Sequence, residues 1–99
     1  MASKQQTFSI ESATVTGLQA LSYIATDDDL FGAFLDQAGT NATDVKAQAT
    51  DPGFLGFVLD FLMQEDARVI GFAESVGCAP EDIIRIRAAL PGGDTPEWT

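Results

Sequence analysis

Three consecutive aspartates are the first side chains in this sequence that could do chemistry. Asp27, Asp28 and Asp29 would attract a hard cation, because Ca²⁺ and Mg²⁺ prefer carboxylate oxygens. A calcium loop, however, spaces its ligands at alternate positions, with a glycine at the sixth and a glutamate at the twelfth, and this sequence lacks that pattern. Acidic residues also stabilise the positive end of a helix dipole. The run therefore predicts a helix start rather than a metal site, and we expect no metal ligands.

The sequence contains few of the side chains that usually act together in catalysis. The sequence contains no histidine and one cysteine, and neither lysine lies near a serine in a pattern typical of an activated hydroxyl. Cys78 follows a predicted turn at the start of a helix, where the dipole would lower a thiol pKa, but without a nearby base it is interpreted as a packing residue. Asp60 lies within a strongly apolar segment and is expected on its solvent-facing side. We therefore expect no enzyme activity, no catalytic residue and no cofactor.

Arg85 and Arg87 are the candidate nucleic-acid contacts. The segment from Phe72 to Leu90 resembles a helix-turn-helix, with Gly77 at the turn. A transcription-associated DNA-binding protein that uses the helix pair 69–90 is therefore the alternative function. The second helix of that pair opens with Pro-Glu-Asp, which would place carboxylates against phosphates, and the net charge of −10 repels DNA. Nucleic-acid binding is accordingly disfavoured.

Trp98 is the candidate contact with a protein partner. It is the single tryptophan and stands in the segment 91–99, whose glycines and prolines predict a flexible tail. Tryptophan is enriched among the residues that dominate interface energies. The tail would either dock on a partner or fold back on its own domain, and both alternatives stay open. Residues 1–8 are predicted to form a disordered arm.

Periodic apolar residues predict the first two helices. They recur at spacings of three to five over residues 9–25 and predict one buried stripe of a helix. That stripe consists of Ile10, Val15, Leu18, Leu21 and Ile24. Thr26, three residues before Asp29, predicts the cap of a second helix. This helix should end at Gly39, because glycine adopts the left-handed conformation at low cost.

Capping signals place the remaining helices. Asn41 predicts a short third helix over 42–49, and Asp51 with Pro52 predicts the start of a fourth. The fourth, reaching about Gln64, is apolar nearly all round and must be central, with the core organised around Phe57, Leu59, Phe61 and Leu62. A fifth over 65–76 and a sixth from 79 to about 90 complete an all-α bundle of five to six helices. No segment alternates with the period of a strand.

Gly39 and Gly77, placed in register, indicate an internal repeat with an offset of 38 residues. Each unit, about residues 18–50 and 56–90, would contain three helices, and the two would pack about a pseudo-twofold axis. The shared helical pattern alone also produces some similarity, so chance stays the alternative to duplication. The pairs that agree include Leu21/Leu59, Ile24/Leu62, Phe34/Phe72, Asp44/Asp82 and Val45/Ile83.

Length and composition predict one helical domain over residues 9–90. The chain has 99 residues, 45% of them hydrophobic, which suffices for a single core. The longest apolar stretch, Phe54–Met63, is shorter than the roughly 18 residues that a membrane span needs. We expect no membrane association, no secretory signal and a cytoplasmic location.

Acidity and apolar content together suggest how such a domain would act. We expect a non-catalytic interaction module or adaptor, with acidic rims steering a basic protein partner and apolar residues supplying the contact energy. Self-association is a further expectation, because seven phenylalanines in so small a domain favour uncovered apolar surface.

The stretch from about Leu18 to Leu90 resembles a family of small alphaproteobacterial proteins known only as a domain of unknown function. Its most specific part is the central segment, Asp51-Pro52-Gly53-Phe54-Leu55 followed by Val58-Leu59-Asp60-Phe61-Leu62. Other shared features are Ala20-Leu21, Ile24-Ala25, Phe34-Leu35 before Gly39, Phe72-Ala73, and Gly77 with Ala79-Pro80-Glu81. The resemblance implies a bacterial, cytoplasmic, helical protein and supplies no activity or site residue.

Overall fold

Six α-helices form the chain between residues 10 and 90, the part that the computed structural model describes. They are α1 (Ile10–Ala25), α2 (Asp28–Ala38), α3 (Ala42–Gln48), α4 (Pro52–Met63), α5 (Asp66–Val76) and α6 (Pro80–Ala88). This confirms the predicted all-α fold, and residues 10–90 contain no strand. The predicted arm, residues 1–8, and the predicted tail, residues 91–99, lie outside the described residues.

The start of α2 corrects the predicted cap by one residue. Asp27, not Thr26, is the N-cap, and its Oδ1 accepts hydrogen bonds from the backbone N–H groups of Asp29 at 3.0 Å and Leu30 at 3.1 Å. The Thr26 hydroxyl instead donates to the carbonyl of Tyr23 at 2.7 Å, at the end of α1. The Asp27 carboxylate has the advantage that its charge also complements the helix dipole.

The other helix boundaries follow their capping residues. Asn41 Oδ1 accepts from the N–H of Asp44 and Asp51 Oδ2 from that of Phe54, both at 3.0 Å. Gly39 and Gly77 end α2 and α5 in the left-handed region, with φ of 66° and 79°. These boundaries confirm the predicted starts of α3 and α4 and the predicted ends of α2 and α5.

Helix α4 lies at the centre of the bundle, as its composition predicts, and packs against α1, α5 and α6. Its aromatic side chains pack against Phe34 of α2. Phe61 is fully buried, and its ring lies 5.2 Å from that of Phe34 in an edge-to-face arrangement. Phe57, expected at the heart of the core, is only half-buried, although its ring also packs on Phe34 at 5.6 Å.

The predicted buried stripe of α1 is wrong in its first half. Ile10 and Val15 are 53% and 55% exposed, and Leu18 is exposed as well. The face that meets the core instead carries the small residues Ala13, Gly17 and Ala20, followed by Leu21 and Ile24 as predicted. The cause is a close approach to α4: a Cβ added at Gly17 would stand 2.8 Å from the Cβ of Leu55. Large side chains on this face would force the helices apart.

Equivalent positions of the two predicted units adopt equivalent structure. When the sequence is aligned with an offset of 38 residues, α2 and α5 begin and end at equivalent positions. The starts of α3 and α6 also coincide, as do the ends of α1 and α4. The rings of Tyr23 and Phe72 lie 5.5 Å apart, and the equivalent pair, Phe61 with Phe34, lies 5.2 Å apart. A pseudo-twofold axis would produce such reciprocal contacts. Duplication as the origin of this arrangement stays a prediction.

Two helical glycines should respond oppositely to the same substitution. Gly17→Ala should lower the free energy of unfolding by about 1–3 kcal/mol, because the new methyl group overpacks the contact with Leu55. Gly32→Ala should raise it by up to about 1 kcal/mol, since nothing lies within 4 Å of the added Cβ and alanine favours a helix. Urea unfolding followed by circular dichroism measures both. Equal effects would contradict the close contact.

Candidate functional site

An apolar groove of about 510 Å³ opens between α5 and α6, and we call it the α5–α6 groove. Two isoleucines at its edge are accessible: Ile84 is 59% exposed, and Ile70 is exposed as well. Such side chains are usually covered, so a groove that displays both is a surface able to take up an apolar partner. The residues lining it are Met63, Asp66, Val69, Ile70, Pro80, Glu81 and Ile84.

The turn between α5 and α6 creates this groove. The N–H groups of Gly77 and Cys78 both donate to the carbonyl of Ala73, at 2.9 and 3.0 Å, which reverses the chain tightly. Helix α6 then buries Ile83 and Ile86. With about 100° between successive residues, Ile84 necessarily points away from that buried face. The groove itself depends on the angle between the two helices and was not predicted from the sequence.

Two carboxylates give the α5–α6 groove its charge. Asp66 and Glu81 belong to the first turns of α5 and α6, where an acidic residue favours the helix dipole. The described residues that line the groove include no basic side chain. Because both helices start beside the groove, the acids required by helix stability also make its rim negative.

A second groove, of about 330 Å³, lies between α1, α2 and α3, and we call it the α1–α3 groove. It occupies the equivalent place in the first unit, since an offset of 38 relates four of its residues to the α5–α6 groove. Those pairs are Ala25/Met63, Phe31/Val69, Ala42/Pro80 and Lys46/Ile84. The charge differs, because the described lining contains Lys46 and no carboxylate. Its full lining is Leu18, Leu21, Ser22, Ala25, Phe31, Ala42, Val45, Lys46 and Ala49.

Arg87, one of the two candidate DNA contacts, is part of the bundle's own framework. Its Nε donates to Asp60 Oδ1 at 2.7 Å and its Nη2 to Asp60 Oδ2 at 3.0 Å, which forms a bidentate ion pair between α6 and α4. Its Nη1 donates to the carbonyl of Leu90 at 3.3 Å. The Arg87 side chain is only 9% exposed, whereas that of Asp60 is 45% exposed. Asp60 does reach solvent, as predicted, but its partner was not foreseen.

Arg85, the other candidate, lies on a different side of α6 and is half exposed. Its Nη1 lies 3.0 Å from Asp82 Oδ1, so an acidic neighbour already offsets its charge. The structure therefore does not present Arg85 and Arg87 together: a DNA contact by Arg87 would require its pair with Asp60 to open. The predicted DNA-contact role of these residues stays a prediction.

Cys78 is a half-buried thiol between α5 and α6. Burial raises the pKa of this thiol, and the negative charge of Asp82 raises it further. The direction is opposite to the lowering expected from the helix dipole, because Cys78 precedes the helix and faces an acidic first turn. Less reactive thiolate is therefore present at neutral pH than in a free cysteine.

Within residues 10–90, no three His, Cys, Asp or Glu side chains are grouped so that they could hold a metal ion. No helix in this part of the chain has the length and apolar character to span a bilayer. Trp98, the candidate partner contact, lies outside the described residues.

The ion pair should respond asymmetrically to loss of either partner. Asp60→Ala should lower the free energy of unfolding by about 1–3 kcal/mol, because it removes the bidentate ion pair that the nearly buried Arg87 guanidinium makes with α4. Arg87→Met should cost less, since the remaining Asp60 carboxylate is half exposed and water can solvate it. Urea unfolding of both variants and of the double variant measures the coupling. A larger cost for Arg87→Met would contradict this account.

Comparison with known proteins places the chain in a family. A family model described as "Protein of unknown function (DUF3572)" matches residues 10–93, which include all six described helices and both grooves. Neither the curated proteins nor the solved structures contain a match. The match confirms the resemblance found in the central segment, and the description of the family names no activity. The chain belongs to the DUF3572 family of proteins of unknown function.

Proposed function

We propose that this protein is a non-catalytic interaction module, an adaptor that binds a basic amphipathic helix of a protein partner in the α5–α6 groove. The observation that carries this proposal is the exposure of Ile70 and Ile84 at an apolar groove whose charged lining residues, Asp66 and Glu81, are both acidic. Helices that bind in grooves present apolar residues three or four positions apart. The same helix would place lysine or arginine beside its apolar stripe, opposite the two carboxylates.

Apolar contact would provide most of the binding energy. Complete burial of an isoleucine contributes roughly 1.5–3 kcal/mol, and about half of that gain is still available at Ile84 because it is 59% exposed. Association also costs translational and rotational freedom. A partner must therefore cover both isoleucines and the groove floor near Val69 to bind tightly.

Charge would provide orientation and a fast encounter. The chain carries a net charge of −10, which attracts basic surfaces at long range. Contacts at an exposed rim add little affinity, but they discriminate between partners and speed association at low salt. Binding by this mechanism weakens with ionic strength mainly through the association rate.

Absence of catalysis is part of the proposal. The sequence has no histidine, and the raised pKa of Cys78 leaves less of the nucleophilic thiolate at neutral pH. The helix-turn-helix alternative has less support, because Arg87 is engaged by Asp60 and acidic residues open α6. A cytoplasmic location and self-association also remain proposals, the second of which light scattering over a dilution series would test.

A designed peptide pair tests the binding mode directly. The first peptide is an amphipathic helix with leucines at i, i+3 and i+7 and lysines beside that stripe, and the second replaces every lysine by glutamate. The lysine peptide should bind and perturb backbone amide resonances of α5 and α6. Ile84→Asp should weaken its binding about tenfold or more, because it places a charge in the apolar contact. Leu18→Asp, in the other groove, is the matched control and should bind normally.

Equal binding of the two peptides, or equal loss in the two variants, would contradict the proposal. The same variants then identify the natural partner in its own lysate. A protein retained by the wild type and by Leu18→Asp but lost from Ile84→Asp binds the α5–α6 groove. DNA retained by the wild type and lost from Arg85→Glu would support the helix-turn-helix alternative instead.

A further inference from the structure

The α1–α3 groove differs from the α5–α6 groove in a way that selects another occupant. Its walls are apolar, and they include the exposed Leu18 and the half-buried Phe31. The one charged residue among the described residues that line it is Lys46, in the last turn of α3. A suitable occupant therefore combines a large apolar side chain with negative charge.

The sequence that follows α6 has this combination. Residues 91–99 contain Trp98 together with two acids, Asp94 and Glu97, and no basic residue. We propose that this segment binds in the α1–α3 groove of its own chain, with Trp98 in the apolar part and the two carboxylates near Lys46. This inference is independent of the proposed function, because it concerns a different groove and a different occupant.

The segment can span a large part of the described molecule. Trp98 stands eight residues beyond Leu90, and an extended chain of that length spans up to about 26–29 Å. The described molecule measures 43 × 33 × 24 Å, so this span exceeds its shortest dimension. Helix α6, which leads into the segment, also packs against α1, the helix that forms one wall of the groove.

Charge directs the segment to this groove rather than to the equivalent one. In the α5–α6 groove, Asp66 and Glu81 would repel Asp94 and Glu97, whereas Lys46 attracts them. Tryptophan buries a large apolar area and packs well against another aromatic ring, which Phe31 supplies. The two grooves are thus open to opposite kinds of occupant.

The single tryptophan makes the docking measurable in the intact protein without a label. Trp98 fluorescence of the full chain is compared with that of a synthetic peptide of residues 91–99, by emission maximum and by acrylamide quenching. We expect blue-shifted emission and clearly weaker quenching in the protein, because a docked indole is shielded from water and quencher. Emission and quenching equal to those of the peptide would overturn the proposal.

Variants in the two grooves locate the site. Lys46→Glu should lower the docking equilibrium constant about two- to fivefold, the size of an exposed charge contact, and Lys46→Arg should preserve docking. Leu18→Asp should lower it about tenfold or more, because a carboxylate replaces an apolar wall and repels the acidic segment. Ile84→Asp, in the other groove, should leave Trp98 as shielded as in the wild type. Circular dichroism checks that each variant keeps its helical content.

Two further outcomes would reject the proposal. Shielding that is lost in Ile84→Asp but kept in Leu18→Asp would place Trp98 in the α5–α6 groove. Shielding that falls on dilution would mean that the segment binds a second copy of the chain rather than its own. Neither result depends on a partner, so failure here leaves the peptide test of the α5–α6 groove untouched.

Discussion

The close crossing of α1 and α4 at Gly17 and Leu55 determines how the rest of the molecule is arranged. At this point the Cβ of Leu55 occupies the space that a side chain of residue 17 would need. The contact draws α1 against the most apolar helix of the bundle and buries Leu55 completely. It also fixes which face of α1 is covered. Val15 and Leu18 are turned away from α4 as a direct consequence, whereas Ile10, seven residues before Gly17 and so on the same side of α1, is exposed at the start of the helix.

Positions 17 and 55 are also equivalent under the offset of 38 residues. A pseudo-twofold axis that passes near this point would bring equivalent residues face to face. On either side of this point, Tyr23 packs on Phe72 and Phe61 packs on Phe34. Each unit thus contributes one ring to the other unit's second helix. The aromatic core is therefore shared between residues of both predicted units.

Local sequence signals predicted the helices well, but they did not predict contacts between residues that are distant in the chain. The turns at Gly39 and Gly77 and the caps at Asn41 and Asp51 depend on residues within one helical turn, and each was predicted correctly. The wrong stripe on α1 arose because periodicity favours large apolar residues, while the crossing requires small ones. The pair of Asp60 with Arg87 joins residues 27 apart in the chain, so no spacing rule could indicate it.

The two grooves are formed by equivalent helix ends, but they differ in charge. Each forms where the end of a long helix meets the start of the next helix and the short helix that follows. Shape alone would therefore give both grooves similar ligands. Ile84 in one unit stands where Lys46 stands in the other, and Glu81 stands where the first unit has Thr43. The α5–α6 groove thus has an isoleucine in place of a lysine and an added carboxylate, so it repels acidic partners that the α1–α3 groove would attract. Specificity in this bundle thus depends on a few exposed positions that the shared core leaves free to vary.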